Sequence, residues 1–396
     1  MTTYVHSDLD VSAAKVVASG QALYPAEART SAATAIALHP NTSPMSEADR
    51  AKILENPGFG QYFSDNVVRA RWNKAQGWTA GELISSATSS GGFGMNALHY
   101  GQSIFEGLKA YRHEDGSIYT FRPEANALRF QRSATRLALP PVPTDLFIGA
   151  IEALVSQDQA WVPNDPDKSL YLRPLEFGSE NALGVRPSLE VTYVLMACPV
   201  GAYFPQGVKP VSVWLSDDYV RAAPGGTGEA KCAGNYAASL VAQAEATENG
   251  CDQVVWIDAN ERKYIEEMGG MNMFFVYGSG NSARLVTPKL TGTLLPGVTR
   301  DSILTLARDL GYEVEEGTIS VEQWREGCAS GEITETFACG TAAVITPVGR
   351  VDSKNSGAWT IADGGSGDVT MKLRAALVDI QTGRAPDTHN WLHRLV

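Results

Sequence analysis

One lysine stands alone in a stretch of small residues, APGGTGEAKCAGNY at positions 223–236. No other cation lies near Lys231 in sequence. A lysine in such an apolar, glycine-rich setting can approach a flat ligand closely, and desolvation lowers its pKa toward that of a usable amine nucleophile. The plain alternative is a solvated loop lysine. A second alternative is a nucleotide-binding P-loop, since Gly225 to Cys232 imitates GxxxxGK[ST] and QVVWID (253–258) imitates the strand and Asp that accompany it. That match fails at two positions: Ala230 replaces the glycine before the lysine, and Cys232 replaces the hydroxyl that would bind Mg²⁺.

Three further segments carry groups suited to a ligand with a ring nitrogen and a phosphate. EEMGGMN (266–272) puts Glu267 beside paired glycines after a strand, where it could face a protonated ring nitrogen or simply edge a hairpin. In LLPGVTRDSIL (294–304), Pro296-Gly297 opens a helix whose free amides at Val298 and Thr299, with the helix dipole, make a seat for phosphate. CGTAAVITP (339–347) offers the Thr341 hydroxyl and unpaired amides in a Gly-Thr turn. Many helices and turns of this kind bind nothing, so each segment is weak alone.

The elements that must position these groups follow from periodicity. The 396 residues favour two domains, and 44% hydrophobic against 19% charged residues allows a substantial core. The net charge of −12 argues against a nucleic-acid partner. No run is both long and unbroken enough for a membrane span. VTYVLMA (191–197) reads as a buried strand ahead of a Gly- and Pro-rich loop. The first basic residue is Lys15, so no signal peptide is read, and five scattered cysteines form neither a disulfide framework nor a zinc site. A cytoplasmic protein without a metal is expected.

Residues 1–48 read as a loose N-terminal arm, 49–200 as a smaller α/β domain, 201–210 as a linker and 211–396 as a larger domain. Helices are expected over 126–137, 236–247, 298–310 and 369–382, with Gly311 closing the third and Ser320 opening a further one with a capping box. Strand pairs flank Asp258-Ala-Asn-Glu and GSGNS (278–282) as hairpins. His389 and His393, at i,i+4 spacing with no third ligand nearby, read as helix-face residues.

Taken in order, LHYGQSIFEGLKAYR (98–112), NALRFQRSA (126–134), SLYLRP (169–174), CPVGAYF (198–204), GGTGEAKCAGNY, EEMGGMN, LPGVTR and CGTAAVITP resemble the class IV pyridoxal-phosphate aminotransferases, most closely the branched-chain amino-acid group. The likeness covers nearly everything from Pro57 to the C-terminus. It implies a mixed α/β, two-domain fold of type IV, like that of D-amino-acid aminotransferase, with the active site between the domains, and a homodimer. It also implies transfer of the amino group of Leu, Ile or Val to 2-oxoglutarate, giving 2-oxo acids and glutamate. Other class IV activities, a D-amino-acid transaminase or an aminodeoxychorismate lyase, are the alternatives, with a P-loop protein behind them.

By that resemblance Lys231 carries pyridoxal 5′-phosphate, Glu267 meets the pyridine nitrogen and Tyr236 the ring's phenolic oxygen. The phosphate falls to Arg129, Val298, Thr299 and Thr341, although Arg132 and Arg136 share Arg129's helix face and spacing does not separate them. The amides of Ala342 and Ala343 receive the substrate α-carboxylate. Tyr100, Phe105, Tyr171 and Tyr203 wall the side-chain pocket, with Arg173 at its far end; period two puts Tyr171 and Arg173 on one strand face. Two departures stand out. Gly270 replaces a threonine of some relatives, and Ala343 and Thr346 occupy the positions of the CxxC pair of mammalian members.

Overall fold

The computed structural model describes residues 36–59, 62–87, 92–201 and 208–396. Within them the chain forms two sheets with helices against both. The alternation in VTYVLMA produces the strand Glu190–Val200, which buries Val191, Tyr193, Leu195 and Ala197. It pairs antiparallel with Ser169–Gly178 along its whole length, from Ser169↔Val200 to Gly178↔Val191. These two strands are the centre of a ten-stranded sheet. On one side Glu82–Ser85 and Asn66–Asn73 extend it; on the other come Leu108–Arg112, Ile118–Phe121 and the C-terminal strand Leu392–Arg394.

Leu170 and Leu172 join Phe130 and Phe147 in the core beneath helices Pro123–Arg136 and Thr144–Gln157. By alternation Tyr171 and Arg173 then face the other way. One strand therefore serves the core with one face and the functional cleft with the other.

The second sheet has nine strands and is mixed. Val211–Leu215 pairs parallel with both Gln253–Ile257 and Val344–Ser353, while Ile333–Gly340 runs antiparallel between Val344–Ser353 and Met271–Tyr277. Helices Val298–Asp309 and Asp368–Gln381 cover it through Ile303, Leu306, Leu373 and Leu377 against Phe274 and Phe337. Trp324, on helix Val321–Ser330, seals the opposite face with Phe275 and Val351. That helix opens with the expected capping box: Ser320 Oγ accepts from Gln323 N, and Gln323 Oε1 from Ser320 N.

Several expectations change. Residues 1–35 and 202–207 lie outside the described residues, so most of the arm and the centre of the linker are not part of this description. The later arm residues are structured: Ala37–Leu38 pairs with Glu82–Ser85, and Glu47–Glu55 is a helix capped by Ser46. The C-terminal strand Leu392–Arg394 returns to the first sheet, against Ile118–Phe121, although it lies in the expected second domain. The helix expected over 236–247 is two, Ala233–Ala237 and Leu240–Glu248. Ser239 Oγ donates to the Tyr236 carbonyl at 2.7 Å, a local bond that competes with the helical one. His389 and His393 are not helical; His393 lies on the last strand and bonds Glu152, and His389 bonds Asp309.

Glu176 sits in the first core with 0% exposure, and among the described residues neither of its carboxylate oxygens has a hydrogen-bond partner. Tyr193, its cross-strand neighbour, also leaves its hydroxyl unbonded. Burial drives the Glu176 carboxyl well above the ordinary carboxylate range. In the unfolded chain it ionises near 4.5, so above that pH the fold must keep it protonated, and stability falls as pH rises toward the folded-state value. Glu176→Leu should therefore stabilise the protein by ~1–3 kcal/mol, the cost of an unbonded buried polar group. The gain in thermal midpoint should be larger at pH 8 than at pH 5, measured by calorimetry.

Candidate active site

Lys231 lies where the loop after Pro224 meets the helix Ala233–Ala237, and its backbone is held from both sides. Its N–H donates to Ser133 Oγ and its carbonyl accepts from Phe105 N, each at 3.0 Å. The loop before it is stapled down by Asn235 Nδ2 on the Thr227 and Ala230 carbonyls and by Arg221 on those of Gly228 and Thr293. A Cβ on Gly228 would stand 2.2 Å from the Thr293 carbonyl oxygen, so only glycine lets the loop close this tightly. Lys231 Nζ donates to the Tyr236 hydroxyl at 2.7 Å and lies 4.8 Å from the Phe105 ring centroid. No strand leads directly into this loop and the helix after it has five residues, which is not P-loop geometry.

Glu267 ends up buried next to this group because the Gly269-Gly270 turn, with Gly269 at φ +56°, folds strand Ile265–Met268 back onto Met271–Tyr277. Its Oε1 accepts from Leu295 N at 2.7 Å and from Asn272 Nδ2 at 3.2 Å. Its Oε2 lies 2.9 Å from Arg221 Nε but outside hydrogen-bond alignment, so this buried oxygen has spare acceptor capacity. Burial pushes the carboxyl up; Arg221 and the Leu295 amide pull it back without cancelling the effect.

Gly297 gives helix Val298–Asp309 a start with no side-chain cap, and the amides of Val298 and Thr299 donate to no acceptor among the described residues. A Cβ on Gly297 would fall 2.1 Å from Asn272 Oδ1, so a larger residue would displace the amide that bonds Glu267 and the Leu295 carbonyl. Val298, Thr299 and Thr341 line one cleft with Gly107, Lys109 and Asn126, so the first and second sheets meet there. Arg129 lies alongside and is distinguished from its helix neighbours by burial, Arg132 and Arg136 being exposed. Its Nε and Nη2 donate to the two oxygens of Glu106 at 2.7 and 2.8 Å, and its Nη1 to the Pro296 carbonyl. Burial alone would raise the Glu106 carboxyl; Arg129, Lys231 and Asn126 together hold it below its ordinary value.

Arg173 approaches the same Phe105 ring as Lys231 and pairs with Tyr171. The guanidinium is 4.6 Å from the Phe105 centroid, and its Nη2 donates to the Tyr171 hydroxyl at 3.1 Å. Its Nε is buried without a hydrogen-bond partner, and no carboxylate pairs with it among the described residues. Gly107 makes room for the phenol, since a Cβ there would lie 2.1 Å from the Tyr171 oxygen. The turn Thr341-Ala342-Ala343 links strands Ile333–Gly340 and Val344–Ser353, and its three amides donate to nothing among the described residues. Val344 follows at φ +63°, a left-handed conformation that a β-branched residue resists.

Two expected pocket residues are not seen among these contacts, for different reasons. Tyr100 ends the short helix Asn96–Tyr100 on the surface, its hydroxyl bonded to the Leu183 carbonyl. Tyr203 lies outside the described residues. Conversely, Glu106, Lys109, Asn126, Arg221 and Asn272 support the site without having been singled out from sequence. Glu106 and Lys109 fall inside LHYGQSIFEGLKAYR, but nothing local distinguishes a buried partner there from a solvated strand residue. Among the described residues no helix is long and apolar enough to cross a membrane.

Glu106→Gln leaves the Arg129 guanidinium buried without its counter-charge. It should lower folding stability by ~3–5 kcal/mol, the usual effect of breaking a buried ion pair. Denaturant unfolding measured against the parent chain checks it.

Residues 103–351 match the family model of class IV amino-transferases. The branched-chain-amino-acid aminotransferase of Mycolicibacterium smegmatis is 58% identical over 356 residues, spanning 90% of this chain and 96% of its own. A probable branched-chain-amino-acid aminotransferase of Streptomyces coelicolor is 56% identical over 362 residues, spanning 91% and 98%. Among solved structures, the branched-chain amino acid aminotransferase of Escherichia coli superposes with a TM-score of 0.68 at 30% identity, covering 83% of this chain and 99% of that one.

Proposed function

Since the chain belongs to the class IV aminotransferases, in their branched-chain amino-acid group, we propose that it moves the amino group of leucine, isoleucine or valine to 2-oxoglutarate, and the reverse. The observation that carries this reading is the convergence on Lys231: its Nζ lies 4.8 Å from the centroid of the Phe105 ring that Arg173 also approaches, its charge acts on the buried Glu267 with the spare Oε2, and Arg173 has no acidic partner among the described residues. Pyridoxal 5′-phosphate is the cofactor, and when bound it supplies a sink for the electrons left at the substrate Cα. The residues present suit it: Glu267 Oε2 has a free acceptor position for a ring N–H, and the open amides of Val298 and Thr299 suit a phosphate.

In this reading Lys231 Nζ holds the cofactor and moves the Cα proton, with its position set by the hydrogen bond to Tyr236. Glu267 keeps the ring nitrogen protonated. Arg129 and Thr341 join the helix amides on the phosphate, and the amides of Ala342 and Ala343 hold the α-carboxylate. Phe105 and Tyr171 form the apolar wall for a branched side chain. Arg173 supplies the charge that glutamate's second carboxylate needs.

The working form is a cytoplasmic homodimer of branched-chain amino-acid biosynthesis. Phe93, Leu98, Leu183 and Val185 form an exposed apolar surface around Tyr100, with Phe93 94% exposed, and such a surface is ordinarily covered. Covering it with a second copy also gives Tyr100 a pocket to complete. Light scattering on the purified protein should give about twice the chain mass of 42.4 kDa. Phe93→Asp combined with Val185→Asp should shift it toward one chain.

The activity itself is tested on the two half-reactions, followed separately by absorbance. Arg173→Met should weaken the glutamate half-reaction by ~2–5 kcal/mol, as expected for removing one partner of a buried charge pair. The leucine half-reaction should lose much less. Equal losses would place Arg173 on the α-carboxylate or in the fold and remove the argument for a shared pocket.

A further inference from the structure

Lys109 lies on strand Leu108–Arg112 of the first sheet, and its Nζ donates to the Ala342 carbonyl of the second at 2.8 Å. This is the ammonium's one hydrogen bond among the described residues, and it ends on a neutral oxygen. Among the described residues no carboxylate pairs with Lys109, and the charge that acts on it is the like charge of Arg374, on helix Asp368–Gln381. Burial and Arg374 together lower the ammonium to about 8. A desolvated cation against a carbonyl, beside a second cation, is a poor way to stabilise a fold. It makes sense where an anion arrives from outside.

The peptide unit that accepts this bond is also the one that presents Ala343 N–H. Ala343 is 1% exposed, and its amide has no acceptor among the described residues. A cation on the carbonyl end of a peptide polarises the N–H end, so a bond to an anion there is strengthened through the amide. The turn also needs holding, since Val344 at its exit carries the left-handed φ of +63°.

We propose that Lys109 is a positioning residue for substrate recognition: by bonding the Ala342 carbonyl it fixes the Thr341–Val344 turn and polarises the Ala342–Ala343 peptide toward the substrate α-carboxylate. The inference rests on the reading of that turn as the carboxylate seat. It adds a residue from the opposite sheet, whose charge reaches the carboxylate through one peptide group without touching it.

The test uses holoenzyme and 4-methylvaleric acid, which has leucine's carboxylate and side chain but no amine. Lys109→Met should raise its dissociation constant about tenfold or more, as for loss of a charge-assisted hydrogen bond, and Lys109→Arg should restore most of the affinity. The slow half-reaction with 3-methylbutylamine, which has no carboxylate, should lose much less in Lys109→Met than the acid loses in affinity. Unaltered affinity for the acid in Lys109→Met, or an equal loss with the amine, overturns the proposal, the second result meaning a purely structural role. The amide resonance of Ala343 in ¹⁵N-alanine-labelled parent enzyme separates the two levels. If the acid does not shift it, the carboxylate seat itself is misassigned; if the acid shifts it in the parent and in Lys109→Met alike with equal affinity, only the role of Lys109 falls.

Discussion

The buried pair of Glu106 and Arg129 is the interaction on which the rest of the cleft depends. Glu106 stands between Phe105 and Gly107, so whatever fixes its carboxylate also fixes the aromatic wall and the glycine that admits Tyr171. Arg129 continues the tie through helix Pro123–Arg136 to the Pro296 carbonyl, one residue before the cap of helix Val298–Asp309. A two-point carboxylate–guanidinium contact restrains orientation as well as distance. Two sheets built from distant parts of the chain are thereby held in one register. The Lys231 backbone uses the same parts, bonding Ser133 on that helix and Phe105, the residue before Glu106.

Around this satisfied pair the cleft keeps groups that are not satisfied. Among the described residues Arg173 has no carboxylate, Lys109 bonds a neutral carbonyl, Glu267 has a spare oxygen, and the amides at 298–299 and 341–343 have no acceptors. Buried polar groups are rarely left open without a reason. Most of these openings are donors or cations. That pattern fits anionic ligands better than an apolar one alone. Glu176 is the contrasting case: it too is buried and unbonded, but in the first core, where no ligand can reach it.

The sequence made the residues proposed to face the ligands legible because glycine, proline and hydroxyl spacing marks the places where backbone approaches something. Lys231, Glu267 and the amides at Val298, Thr299 and Thr341 all sit beside such marks. Their supports were not legible. Glu106 and Arg129 are 23 residues apart, and Lys109 and Ala342 are 233 apart, so their pairing is decided by sheet order. The return of Leu392–Arg394 to the first sheet was hidden for the same reason. The helix around Tyr236 misled at short range, because helical periodicity does not register a serine that bonds back to the preceding turn.

A pocket that serves both leucine and glutamate must hold a cation that tolerates having no anion. An ammonium would be badly placed for this, being compact and strongly hydrated, whereas a guanidinium is planar and can lie on aromatic faces. Arg173 does so, 4.6 Å from the centroid of Phe105 and 5.2 Å from that of Tyr171, with Tyr171 accepting one hydrogen bond. The ring faces supply part of the negative potential that water would otherwise provide. With a branched side chain bound, the guanidinium can stay where it is and present its own apolar faces as wall. With a second carboxylate bound, its unbonded Nε is the donor already in place. In the role proposed for Arg173, dual recognition needs no rearrangement of the chain, only a cation whose resting state is stacked instead of paired.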